Sequence, residues 1–171
     1  IKNKTILVAG GGGFIGGHMV AKLLPYNTII AVDIKKKKNW FQLFTKAKNL
    51  EVDLKNYEQC KRVTKNVDLV INFACNMGGM GFIENFKAEC MLSVLINTNL
   101  LRACVDNKVK KYFYASTACV YNINYQNKVD SKHLSEEMAY PAMPEDGYGW
   151  EKLFSERMCR HFYEDFKLEV R

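Results

Sequence analysis

No apolar run in the 171 residues approaches the roughly 18 to 20 needed to cross a bilayer, and the N-terminus lacks the apolar core and small-residue cleavage site of a secretory signal. These absences predict a soluble, cytoplasmic protein without a membrane partner. The six cysteines, Cys60, Cys75, Cys90, Cys104, Cys119 and Cys159, form no CxxC pair, and none has a histidine at zinc-ligand spacing. No metal site and no disulfide framework is expected, and most of the thiols should act as small buried hydrophobes. His18, His133 and His161 form no cluster, and no internal repeat or low-complexity stretch is present. What the chain does have is ordinary globular composition, 48% hydrophobic and 25% charged, which excludes a disordered tail, a collagen-like fibre or a coiled-coil rod. Its length fits one domain.

The formal charge of +7 admits an anionic partner. Nucleic acid is disfavoured, because the one dense basic run, Lys35 to Lys38, has no interleaved aromatics to stack bases. A phosphorylated small molecule remains. The chain begins at Ile1 and stops at Arg171 in a segment, 168–171, that reads as an unfinished strand, so a piece of a longer protein is expected.

Short apolar runs alternate with helix-like stretches, the pattern of βαβ units and a parallel sheet. Buried strands are predicted at 6–9, 29–32, 68–74 and 112–115. Their near-continuous apolar character fits a sheet covered on both faces. The fold class is therefore α/β, a Rossmann-type doubly wound parallel sheet. Met91, Leu92, Leu95, Ile96, Leu100 and Leu101 keep helical spacing over 88–105, as do Leu153, Phe154, Met158, Phe162 and Phe166 over 150–166, and both stripes are expected to face the core. The polar stretch 122–146, with Pro141 and Pro144, reads as a long loop of the kind that often carries function.

Gly10, Gly13 and Gly16 follow the first strand directly and open a helix. In that context the spacing lets backbone amides approach a pyrophosphate: Gly10 permits the tight turn, Gly13 the close approach, and Gly16 the contact of helix with strand, with Phe14 and Ile15 between them. Seventeen residues beyond Gly16 the second strand ends at Asp33, whose carboxylate suits the two hydroxyls of an adenosine ribose. The adjacent lysines would favour a 2′-phosphate, but Asp33 repels one, so NAD is preferred to NADP. Tyr148 and Lys152, four residues apart, share one face of the last helix. A nearby ammonium stabilises a phenolate and lowers the tyrosine from its usual value near 10.

These motifs resemble the extended short-chain dehydrogenase/reductase superfamily along the whole chain. The resemblance implies that Asp53 and Leu54 contact adenine, and that Asn72-Phe73-Ala74 stands for an Asn-Ala-Ala, with Phe73 a departure and Ala74 lining the cofactor. It implies that Tyr148 takes a hydroxyl proton while hydride leaves for nicotinamide, that Lys152 holds the nicotinamide ribose, and that Thr117 bonds the reacting hydroxyl. Sugar-nucleotide 4,6-dehydratases carry Asp-Glu where Ala118-Cys119 stands, and simple 4-epimerases tend to have a threonine at the second of these positions. Cys119 is the unusual feature. A thiol beside an oxidised sugar can take a proton from carbon, since a C4 ketone acidifies C3 and C5.

Closer still is the similarity to GDP-mannose 3,5-epimerases, in segments 76–83, 118–121 and 140–149. This implies a GDP-sugar substrate near Gly78, Gly79 and Met80, which would lie in a loop with methionines shielding the hexose. It also implies a homodimer paired through the 88–105 and 150–166 helices, with a proton-donor lysine and a substrate domain following Arg171. The alternatives are another sugar-nucleotide 4-epimerase or dehydratase, and a dinucleotide-binding module without turnover.

Overall fold

The computed structural model describes residues 1–126 and 133–171. Six parallel strands form one sheet: β1 (Thr5–Ala9), β2 (Thr28–Asp33), β3 (Lys48–Glu51), β4 (Leu69–Asn72), β5 (Lys111–Tyr114) and β6 (Glu169–Val170), in the spatial order β3-β2-β1-β4-β5-β6. The order reverses between β1 and β4, which makes the crevice above these two strands the switch point where open α/β sheets bind ligands.

Alternation along β1 divides the core. Ile6 and Val8, fully buried, join Val20 of helix α1 (Phe14–Leu23) with Ile29, Ala31 and Trp40 on one face. Leu7 and Ala9 point the other way, into a larger core with Cys60 of α2 (Tyr57–Val63), Leu100, Leu101 and Cys104 of α5 (Val94–Asp106), and Cys159 of α6 (Asp146–Phe166). Helices on both faces satisfy a sheet with no polar side, and this is the doubly wound architecture expected from the apolar strands. Between β4 and α5 lie two short helices, α3 (Met80–Asn85) and α4 (Lys87–Met91).

Four expectations need correction. Strand β3, Lys-Asn-Leu-Glu, was not predicted, because a four-residue edge strand that is half polar has no apolar run to mark it. The 88–105 helix is two helices, broken where buried Ser93 turns its hydroxyl to accept the Asn76 amide at 2.8 Å. Its predicted core stripe is split accordingly: Ile96, Leu100 and Leu101 are buried, whereas Met91, Leu92 and Leu95 are exposed. On α6 Leu153 is buried, but Phe154 and Phe166 face outward. Finally, the 77–83 loop contains the start of α3, whereas the 122–146 stretch is a long loop as expected, with 3-10 turns at Ile123–Tyr125 and Glu136–Ala139 and with 127–132 outside the described residues. By length and composition the segment Lys87–Asp106 would suffice to span a bilayer. It is nonetheless interrupted, and Cys90, Leu100, Leu101, Ala103 and Cys104 within it are fully buried in the core.

Candidate active site

The glycine turn forms because β1 ends where its neighbour β2 can still receive it. The Gly10 and Gly11 amides both donate to the Val32 carbonyl, at 2.9 and 3.0 Å, while Gly10 adopts φ +76°, a conformation that glycine takes without a Cβ penalty. Close approach is the second requirement. A Cβ on Gly16 would lie 2.1 Å from the Gly10 carbonyl oxygen, so this glycine lets α1 rest on the turn itself, rather than on the strand as expected. A Cβ on Gly13 would meet only the Gly10 carbonyl oxygen, at 3.2 Å, leaving its other side open. Gly13 caps α1 without a side-chain hydrogen bond, and the first turn carries no acidic residue. Uncapped amides and a positive helix end suit a pyrophosphate.

Asp33 ends β2 beside this turn, its carboxylate accepting the Gly12 amide at 3.1 Å and the Lys35 amide at 3.0 Å. The Val52 amide donates to the Asp33 carbonyl, bringing Asp53 and Leu54 to the same edge. Leu54 is committed to the core, so Asp53 is the member of that pair left at the surface. Ala74 leaves β4 with its amide held by the Asn72 side chain at 3.0 Å, and Asn72 in turn donates to the Tyr112 hydroxyl at 2.9 Å. Phe14 and Ile15 are exposed next to the turn, Phe14 packing edge-on against His18 and Phe41.

Sequence reasoning missed what covers the turn. A Cβ on Gly12 would fall 2.7 Å from the Trp40 ring, and the Gly12 carbonyl accepts the Phe41 amide at 2.9 Å. Nothing in the sequence around Trp40 and Phe41 announces this contact, which depends on how the segment after β2 folds back.

At the other side of the crevice α6 presents Tyr148 and Lys152 together, both buried. The Lys152 ammonium donates to the Ala115 carbonyl at 2.9 Å, lies 4.7 Å from the Tyr114 ring centre and 5.8 Å from that of Tyr148. The expected lowering of Tyr148 is not found: burial pushes the phenol up to about 12 and the Cys75 thiol adds to the rise, against the hydroxyl of Thr117, which favours phenolate. Lys152 spends its charge on a carbonyl and a ring face, and desolvation of Tyr148 prevails.

Thr117 follows β5 and caps a short 3-10 turn, Ala118–Val120, accepting the Cys119 amide at 3.3 Å. That turn packs directly on α6. The Glu145 amide donates to the Cys119 carbonyl at 2.9 Å, and a Cβ on Gly149 would lie 2.4 Å from the same oxygen, which explains the glycine next to Tyr148. The partly buried Cys119 packs, as Phe82 does, against the buried cluster of Ile83, Cys90 and Tyr148. Burial raises its thiol above the usual range, with Glu145 adding to the rise and Thr117 opposing it. The fold thus gathers Thr117, Cys119, Tyr148 and Lys152. It leaves Gly78, Gly79 and Met80 exposed, together with Met77. Thr117 also borders a cleft of about 690 Å³ shared with Tyr121, Tyr140, Arg157 and Arg160, which does not include the glycine turn. Two further groups at the centre were not predicted: Cys75, on the segment after β4, and the buried Glu151 of α6.

A parallel sheet reversing at β1 and β4, with a glycine turn on one side of the crevice and a buried Tyr-x-x-x-Lys pair on the other, defines a Rossmann-type α/β domain of the dinucleotide-binding kind. The model of the NAD dependent epimerase/dehydratase family matches residues 6–171, and the chain belongs to that family. It is 39% identical over 173 residues to GDP-mannose 3,5-epimerase of Arabidopsis thaliana, covering 99% of this chain and 46% of that protein. It is 41% identical over 169 residues to GDP-mannose 3,5-epimerase 1 of Oryza sativa subsp. indica, covering 97% and 44%. Among solved structures, a dTDP-glucose 4,6-dehydratase double mutant from Streptomyces venezuelae with NAD bound superposes at a TM-score of 0.82 and 25% identity, over 97% of this chain and 53% of that one. The chain spans about half the length of the relatives it matches.

Proposed function

We propose that this chain is the cofactor-binding half of an NAD-dependent nucleotide-sugar epimerase acting on GDP-mannose at C3 and C5. The observation that carries the reading is a thiol, Cys119, packed against Tyr148 where dehydratases are expected to carry carboxylates. Identity near 40% to GDP-mannose 3,5-epimerases supports the substrate class. When bound, NAD supplies the hydride acceptor and a positive ring charge. Gly10, Gly13 and Gly16 seat the pyrophosphate, Asp33 accepts the adenosine ribose hydroxyls, and Asp53 and Ala74 border the adenine and nicotinamide ends. Lys152 anchors the nicotinamide ribose.

Tyr148 takes the proton of the sugar C4 hydroxyl, with Thr117 holding that oxygen. Oxidation at C4 makes the neighbouring carbon-bound protons acidic, because the negative charge left on carbon spreads to the carbonyl oxygen. Cys119 removes such a proton from one face of the ring, and a donor outside this chain returns one from the other. Full-length protein incubated with GDP-mannose in deuterated water is expected to place label at C3 and C5. Product free of label at both carbons overturns the assignment.

A plain 4-epimerase is the second reading, favoured by the upward shift of the Cys119 thiol, which makes it a reluctant base. That reading predicts inversion without solvent label. The exposed apolar side chains of Met91 on α4, Leu92 just after it, Leu95 on α5, and Trp150 and Phe154 on α6 support a homodimer paired through these helices.

A further inference from the structure

Glu151 precedes Lys152 on α6 and is only 3% exposed. One carboxyl oxygen, Oε1, accepts the Ser155 hydroxyl at 2.9 Å and the Tyr114 hydroxyl at 3.4 Å. Among the described residues the other, Oε2, is buried with no hydrogen-bond partner. A buried carboxylate with an orphaned oxygen is costly, and the remedy available to it is to bind a proton. The surroundings favour that remedy. Facing the carboxyl are the Tyr114 phenol of β5, the Cys75 thiol after β4, the Cys90 thiol of α4, and Tyr148, Lys152 and Ser155 of its own helix, of which only Lys152 is a cation. Burial raises the Glu151 carboxyl more than Lys152, Ser155 and Tyr114 lower it. The far side of Tyr114 matters equally, for the same ring that meets Glu151 through its hydroxyl carries the Lys152 ammonium over its face at 4.7 Å.

We propose that Glu151 is a positioning residue for the Tyr148–Lys152 pair: as a neutral acid fixed by Ser155 and Tyr114 it keeps the ammonium over the Tyr114 ring without opposing the Tyr148 phenolate, and its ionisation disables the pair at alkaline pH. The inference rests on the reading of Tyr148 and Lys152 as the reacting pair. Its neutral-acid element stands apart from any substrate. Ionisation releases a proton to solvent and leaves a carboxylate that raises the Tyr148 phenol further and holds it protonated.

The test uses full-length protein. Free Asp and Glu titrate near 3.9 and 4.3, so at about pH 7 an infrared carbonyl band of a protonated carboxylic acid marks a displaced group. The band is expected in the wild type and absent in Glu151→Gln. Ser155→Ala removes a hydrogen bond that favours the carboxylate, so in this variant the band should persist to higher pH than in the wild type. With GDP-mannose as substrate, the ratio of wild-type kcat to that of Glu151→Gln should fall about tenfold for each pH unit above the Glu151 midpoint. A carboxyl that merely held the helix in place would leave the alkaline limb of kcat the same in the wild type and Glu151→Gln. Absence of the band at pH 7 in the wild type, or superimposable kcat profiles, overturns the proposal. A wild type with the band but no turnover of GDP-mannose instead defeats the functional reading and leaves the neutral acid established.

Discussion

Gly16 and Cys119 place opposite demands on a side chain. At Gly16 a single methyl group would overlap backbone, not a flexible side-chain end: its Cβ would lie 2.1 Å from the Gly10 carbonyl oxygen, so the turn or the helix must shift. Gly16→Ala is expected to destabilise by about 2–4 kcal/mol, in the range of overpacking and strain, and to weaken NAD binding at least tenfold, read by denaturant midpoints and by fluorescence titration with NAD. Cys119 sits against Tyr148, and its proposed work on carbon is separate from that of Tyr148 on oxygen. Cys119→Ala in the full-length protein should therefore abolish solvent label at C3 and C5 while leaving absorbance of reduced cofactor detectable after GDP-mannose is added. Tyr148→Phe should abolish both, with turnover down by about 10²–10⁴-fold, the usual contribution of a positioned acid or base. At this scale the glycine spacing, Asp33, Tyr148 and Lys152 were legible, since each follows from a local pattern on one strand end or one helix face. The Trp40 contact on Gly12 and the buried Glu151 were not, because each depends on segments brought together only by folding.

Strands and helices here are joined by a few buried polar groups in addition to their apolar faces. Ser93 breaks the long helix before α5 and fastens the segment after β4 by accepting the Asn76 amide. Ser93→Ala leaves that amide without its partner and should cost about 1–3 kcal/mol, seen as a lower urea midpoint with an unchanged slope. Tyr112, fully buried on β5, donates to Asn97 of α5 at 2.7 Å and accepts from Asn72 of β4 at 2.9 Å. Its hydroxyl therefore ties helix to sheet directly beneath the cofactor crevice. Continuous apolar runs made β1, β2, β4 and β5 readable, whereas Lys48–Glu51 pairs as a strand only because β2 offers it an open edge. The break at Ser93 was equally silent, since the residues on both sides of it keep helical spacing.

For the molecule as a whole, the question is what covers Met91, Leu92, Leu95, Trp150 and Phe154, which stand exposed on neighbouring helices. If a second copy does, Leu95→Asp combined with Phe154→Asp should convert a dimer into a monomer in sedimentation equilibrium, with little change in the circular dichroism of the separated chains. A wild type that is monomeric at micromolar concentration would remove the homodimer from consideration. Exposure at these positions also accounts for the failure of the predicted core stripes: helical periodicity reports that a face is apolar, not which surface receives it.

The order of apolar runs, the glycine spacing after the first of them and the Tyr-x-x-x-Lys of the last helix sufficed to specify a doubly wound parallel sheet and a cofactor crevice. Such features are local, set by backbone sterics, helical pitch and the burial that a parallel strand demands. Tertiary structure alone decided that Lys152 turns toward Ala115 and Tyr114, that Tyr148 is raised by burial, and that Glu151 lies buried behind them. The reason is physical: hydration and electric field at a side chain are set by distant segments packed around it, and sequence spacing along one helix carries no record of them.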